Sequence, residues 1–216
     1  RDLHLSIRRQ RQMCIRDRAE TLVATGDVDA ASNAAQRALT LQPDRDEAYL
    51  MLGQLAAEQL RWSDAVTFFR SGLDKKPLDV NLTISLAQSL TALARFDEAL
   101  VLLRGALDTQ PDQVDLWLSA GEMLQHIGHL EEAVQIYRES LIQHPASGPL
   151  QLQLANCLSE LQWPDEAKAL YKAVLQQTPR HPDALNNQAL LAAATGQSTQ
   201  AESVFRALMA SHPDYG

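Results

Sequence analysis

Apolar residues return at i, i+3, i+4 and i+7 in paired stretches along most of this chain, each pair parted by a turn and closed by a proline. That spacing lays an apolar stripe along one face of a helix, so every pair predicts two short amphipathic helices. The prolines give the register. Pro43, Pro77, Pro111, Pro145, Pro179 and Pro213 lie 34 residues apart without an insertion or deletion. A fixed period in this range marks a stack of one repeated unit, in which each copy buries its apolar face against its neighbours. With each proline at position 32, six tandem units run 12–45, 46–79, 80–113, 114–147, 148–181 and 182–215, and residues 1–11 precede them as a basic segment. The expected fold is all-α.

Position by position the units agree in residue class. Positions 8 and 20 are small in all six: Ala19/Ala31, Gly53/Ala65, Ala87/Ala99, Gly121/Ala133, Ala155/Ala167 and Ala189/Ala201. Two helices, A and B, are expected to cross closely there. Position 24 holds Phe69, Leu103, Tyr137, Tyr171 and Phe205 but only Ala35 in the first unit, and is expected to fill the gap between adjacent units. Gly26, Gly128 and Gly196 fall where helix A ends and a left-handed residue is convenient; Leu60, Ala94 and Gln162 take that place elsewhere, predicting turns that are strained or differently shaped. Asp97, Glu131, Asp165 and Glu166 fall in the first turn of helix B, and Pro164 suits its first position. Each periodic proline then stops helix B, since its ring cannot continue the hydrogen-bond ladder.

With Tyr49, Leu52, Gly53, Ala56, Ala65, Phe69 and Gly72 in the second unit, and Trp117, Ala120, Gly121, Leu124, Ala133, Tyr137 and Ser140 in the fourth, the chain resembles the tetratricopeptide repeat family. The resemblance implies a right-handed superhelical solenoid of antiparallel helix pairs with no β-sheet. It also implies a non-catalytic scaffold that binds an extended peptide or a partner protein in a concave groove lined by the A helices. A second reading is the repeat segment of a longer enzyme, such as a sulfotransferase, glycosyltransferase or oxygenase, whose catalytic domain lies elsewhere.

Departures from the pattern gather at both ends. Gln188 stands at position 7 and Leu208 at position 27 of the last unit, and the chain stops at Asp214-Tyr215-Gly216, where a seventh helix A would begin. Truncation before a capping helix is therefore expected, leaving Val204, Phe205, Leu208 and Met209 partly uncovered and open to self-association. At the other end, Arg18 replaces the leucine of position 7. The stretch Met13–Arg18 reads either as a translated sequencing adapter or as ordinary drift in a charged helix. Residues 1–18 carry no functional inference.

Charge narrows the partners. The formal net charge is −8, and residues 1–18 hold six Arg against two Asp, so the acidity belongs to the repeats. That disfavours nucleic acid and favours basic or neutral partners. No apolar run approaches the roughly 18–20 residues that span a membrane, and no signal peptide is read, so direct insertion is not expected. A cytoplasmic setting is the expectation over a periplasmic one. Cys14 and Cys157 lie four units apart and read as buried hydrophobes without a disulfide.

No catalytic set emerges. His4, His126, His129, His144, His181 and His212 read as exposed or placed by repeat geometry, and there is no phosphate loop, metal signature or nucleophile elbow. No cofactor is expected. Asn81-Leu82-Thr83 lies inside a predicted helix, which disfavours its use as a glycosylation site. Trp62 and Phe96 read as packing residues and Trp163 as the most exposed aromatic.

In the resembled family, positions 2, 5, 6, 9, 12 and 13 of helix A face the ligand. Here these include Leu50, Gln54, Asn81, Ile84, Gln88, Asp115, Leu118, Glu122, Gln125, Leu152, Gln153, Asn156 and Asn187. One branch of the family grips a terminal carboxylate with Lys and Arg at positions 2, 5 and 6, but those positions hold no Lys and only Arg16 here. The groove implied is amide-rich and moderately acidic, suited to an extended backbone and basic side chains, with Asn156 and Asn187 as its strongest candidates.

Overall fold

The computed structural model describes residues 28–42 and 45–211. The expectations for residues 1–18, Cys14, Gly26, Pro43, His212, Pro213 and 214–216 lie outside them. The described residues form α-helices joined by short turns, with no strand among them. In order they are α1 (Val28–Leu41), α2 (Asp46–Glu58), α3 (Trp62–Lys75), α4 (Val80–Ala92), α5 (Phe96–Thr109), α6 (Val114–His126), α7 (Leu130–Gln143), α8 (Gly148–Glu160), α9 (Pro164–Gln177), α10 (Pro182–Ala194) and α11 (Ser198–Ser211). Every A helix, α2 to α10 by even number, occupies positions 1–13 of its unit, and every B helix occupies positions 17–30. The 34-residue period of the prolines is thus the period of the backbone.

One hydrogen-bond pattern closes helix A five times over. The amide of position 16 donates to the carbonyl of position 11, as in Arg61 to Ala56 at 2.8 Å, Arg95 to Leu90 at 2.9 Å and Trp163 to Leu158 at 2.8 Å. The amide of position 15 donates to position 12, as in Ala94 to Thr91 at 2.9 Å. These paired bonds are the Schellman closure, which needs a left-handed residue at position 15. Gly128 (φ 79°) and Gly196 (φ 78°) supply it without a side-chain clash, yet Leu60 (58°), Ala94 (57°) and Gln162 (61°) adopt the same conformation. Of the two expectations for these turns, strain is what the chain adopts; the shape does not change.

The described residues divide into two units between Gln110 and Pro111. In the first, α2 packs on α3, α3 on α4 and α4 on α5, and the A helices α2 and α4 also touch. In the second, the same order runs from α6 to α11, with contacts from α6 to α8 and from α8 to α10. Within neither unit do successive B helices come as close. The A helices therefore make the inner layer of each unit and the B helices the outer one. Exposed pairs tie the outer layer across repeats, Arg70 to Glu98 at 2.8 Å in the first unit and Arg138 to Glu166 at 2.6 Å in the second, both joining position 25 to position 19. Solvated pairs of this kind contribute little, so packing dominates.

Position 24 packs against position 8 of its own repeat, and Tyr137 also lies close to Cys157 on the helix A of the next repeat. A Cβ placed on Gly53 would sink into the Phe69 ring, and one on Gly121 into the Tyr137 ring. Glycine at position 8 is therefore the seat of the ring at position 24. Position 27 also makes contact between repeats: a Cβ on Gly72 would come 2.9 Å from the methyl carbons of Leu82, on the next helix A. Phe69, Tyr137 and Tyr171 are all 1% exposed or less.

A second device joins repeats. The Trp117 indole donates to the carbonyl of Pro111 at 2.8 Å, and the Gln151 amide to that of Pro145 at 2.7 Å, so position 4 satisfies the proline carbonyl of the preceding repeat. At the last helix, Val204 and Phe205 are partly covered and Met209 is 69% exposed, as expected, whereas Leu208 is buried at 4%. One helical step, about 100° of rotation, separates the two outcomes. Cys157 is fully buried, and Trp163 is 43% exposed with the Arg138 guanidinium 5.8 Å from its ring centre.

Candidate functional site

The inner layer of the first unit presents Leu50 and Ile84 half-buried at position 5, with Gln54, Asn81 and Gln88 exposed beside them. Among the described residues no side-chain hydrogen bond holds these three amides. Beneath them position 24 is Phe69 or Leu103, neither of which carries a polar atom.

In the second unit the same layer is organised. Tyr137 donates its hydroxyl to Gln125 Oε1 at 2.8 Å, from position 24 to position 12. Tyr171 donates to Asn156 Oδ1 at 2.9 Å, from position 24 to position 9. Asn156 Oδ1 also accepts from Asn187 Nδ2 at 2.9 Å, which carries the network from α8 to α10. Asn156 Nδ2 donates to Gln153 Oε1 at 3.3 Å, and Asn186 Nδ2 to Asn187 Oδ1 at 3.1 Å. Gln153, Asn156, Asn186 and Asn187 are each half-buried. The structure thus joins the two asparagines singled out in the sequence by a direct hydrogen bond.

The tyrosines that hold this row are buried. Burial pushes the Tyr171 phenol up to about 12, with a Ser159 hydrogen bond pulling the other way, and burial also raises that of Tyr137. Both stay protonated, and so remain donors, at any physiological pH. Burial likewise pushes the Cys157 thiol up to about 12, with Glu160 adding to the rise. That makes it a packing residue and not a nucleophile.

The remaining candidates bracket the network. Asp115 and Glu122 are exposed on α6 with no cationic partner among the described residues, and Leu118 is half-buried beside them. Although Glu122 is open to solvent overall, enough protein surrounds its carboxyl to raise its pKa from the ordinary glutamate value. Leu152, at position 5 of α8, is 8% exposed and sits in the layer rather than on it. Leu190, at position 9 of α10, was not among the candidates, yet it is 53% exposed at the end of the asparagine row. Its equivalence to Asn156 at the 34-residue spacing is the signal that marks it.

Histidine chemistry does not converge here. His126 is exposed, His129 Nδ1 lies 2.9 Å from Glu132 Oε1, and His144 Nε2 lies 3.3 Å from the Pro111 carbonyl. No three His, Cys, Asp or Glu side chains come together as metal ligands among the described residues, and no described helix is long and apolar enough to cross a membrane.

A model of the tetratricopeptide repeat matches residues 16–80, 84–148 and 152–215, two units at a time. Among solved structures, PilW, a type IV pilus biogenesis factor, is similar over 96% of this chain and 96% of its own, with a TM-score of 0.75 and 20% identity. A tetratricopeptide repeat protein from Parabacteroides merdae covers 94% of this chain over 80% of its own, with a TM-score of 0.72 and 17% identity. YrrB, whose structure is described as having an unusual peptide-binding site, covers 85% over 95% of its own, with a TM-score of 0.59 and 18% identity. At these identities the likeness is one of fold. No curated protein matches the chain in sequence.

Proposed function

This chain belongs to the tetratricopeptide repeat family, whose members are as a rule non-catalytic interaction scaffolds, and on that premise we propose that it binds an extended peptide segment of a partner protein on the inner face of its A helices. We take residues 12–215 as six tandem repeats serving that one role. The observation that carries the reading is the row Gln153, Asn156 and Asn187, half-buried on α8 and α10 and held from below by Tyr171. Carboxamides fixed in this way present donors and acceptors that match the N–H and C=O of an extended backbone, and little ordering entropy is lost when they engage it. Asp115 and Glu122 beside the row, and the net charge of −8, favour basic or neutral segments over acidic ones. YrrB, a protein of the same fold, is described as binding peptide, which supports the class of ligand without identifying it.

A direct test titrates the isotopically labelled chain with a pool of extended octapeptides while following the side-chain amide signals of asparagine and glutamine. Asn156 and Asn187 should shift together, and Asn187→Ala should weaken binding about tenfold through loss of the partly buried hydrogen bond that orients Asn156. Peptides that bind with unchanged affinity to Asn187→Ala, and shift neither signal, would exclude this face as the site.

A further inference from the structure

The position-9 residues of the second unit differ in kind. They are Glu122 on α6, Asn156 on α8 and Leu190 on α10, each 34 residues from the next. Asn156 is restricted to one role by its neighbours: Tyr171 and Asn187 fill both lone pairs of its Oδ1, each at 2.9 Å, and its Nδ2 gives one hydrogen to Gln153. What is left is a single N–H, which takes an acceptor and nothing else. Glu122 offers the opposite polarity, an acceptor-only carboxylate with no cation paired to it among the described residues. Leu190 offers neither, but a side chain 53% open to solvent.

These residues lie on one line across the A helices. The bond from Asn187 to Asn156 shows that position 6 of one repeat meets position 9 of the repeat before it. By the same register Gln153 corresponds to Glu122, 31 residues on, since the helix boundaries repeat without drift and α6 touches α8 just as α8 touches α10. Leu190 follows Asn187 by three positions and so shares its face of α10. The order along the line is carboxylate, amide donor, aliphatic side chain.

Resting on the peptide-binding reading above, we propose that this line sorts the ligand, taking a basic side chain at Glu122, a backbone carbonyl at Asn156 and an aliphatic side chain at Leu190. The raised pKa of the Glu122 carboxyl agrees with a charge that lacks a partner until one is bound. Adjacent packed helices lie roughly 8–10 Å apart, so Glu122 and Leu190 span roughly 16–20 Å. An extended chain advances ~3.3 Å per residue and turns alternate side chains to opposite faces, which puts the basic and aliphatic residues, both facing the groove, about six positions apart in the ligand.

The test uses fluorescently labelled Ser/Ala dodecapeptides carrying one Lys and one Leu in either order, with two to eight residues between them. Anisotropy with the full chain should show an optimum at a separation of about six positions in one of the two orders. That peptide should bind about tenfold tighter than its Lys→Ser counterpart, and the gap should close in high salt. Glu122→Gln should abolish the preference for Lys and keep that for Leu, whereas Leu190→Ser should do the reverse. Both residues are exposed, so neither change threatens the fold. Affinity independent of spacing, or an equal loss for every peptide in both variants, would overturn the sorting. If Asn187→Ala still weakens all peptides in that case, only the sorting fails; if it too has no effect, the peptide-binding face fails with it.

Discussion

Repeats 2 and 3 carry Phe69 and Leu103 at position 24, where repeats 4 and 5 carry Tyr137 and Tyr171. The backbones are alike, with helices of the same lengths at the same positions. The inner faces differ in whether the side chain at position 24 carries a hydroxyl. Tyrosine passes a hydroxyl up from the core to Gln125 or Asn156, whereas phenylalanine and leucine leave Gln54 and Gln88 untethered in solvent. The buried layer of a repeat can thus decide whether the layer above it is ordered before a ligand arrives, at a distance no single helix covers.

The largest effect expected on this comparison comes from the ring seats. Gly53→Ala and Gly121→Ala each drive a methyl into the ring at position 24. Overpacking costs about 3 kcal/mol in so tight a site, against about 1 kcal/mol returned by helix propensity, so urea denaturation should show a net loss of about 2 kcal/mol for either. Only Gly121→Ala should also disturb the groove, since it displaces the ring whose hydroxyl holds Gln125. The comparison breaks if the Gln125 side-chain signal is unmoved in that variant.

A smaller effect lies in the turns. Both described turns of this kind in the first unit use a side chain in the left-handed region, at Leu60 and Ala94, while the second unit has Gly128, Gln162 and Gly196. Leu60→Gly, Ala94→Gly and Gln162→Gly should each stabilise by about 1 kcal/mol as the Cβ clash is relieved, and Gly128→Ala should destabilise by a similar amount. Leu60 is 72% exposed, so little packing is lost with it. A loss of stability in Leu60→Gly would show that the strain is not the governing cost.

No larger on stability, and sharpest on function, is the hydroxyl itself. Tyr171→Phe removes one of two bonds to Asn156 Oδ1 and should cost ~1 kcal/mol while the ring stays in place. The Asn156 amide should then resemble Gln88 in its mobility by nuclear relaxation, with peptide affinity falling in step. Equal order of Asn156 in the variant and the parent would mean that Asn187 alone fixes it.

Much of the fold was legible because the repeat states it six times. The period set the helix boundaries, the small residues at positions 8 and 20 marked close packing, and the residues of position 15 marked the left-handed turn. Less of the site was legible. Helix A numbering placed Asn156 and Asn187 on one face, but their bond joins residues 31 apart, and Tyr171 reaches Asn156 from the other helix. Leu190 escaped notice because an apolar residue in a helix reads as core until its surroundings are known.

By itself the sequence determined the period, the pairing of helices, the place of each turn and the acidic, amide-rich character of the inner face, since each follows from local backbone preference or from composition. Tertiary structure alone decided what position 24 touches, which carbonyl Trp117 and Gln151 satisfy, and how the carboxamides of α8 and α10 share their hydrogen bonds. Those outcomes depend on the separation and rotation of packed helices, quantities that no local pattern encodes.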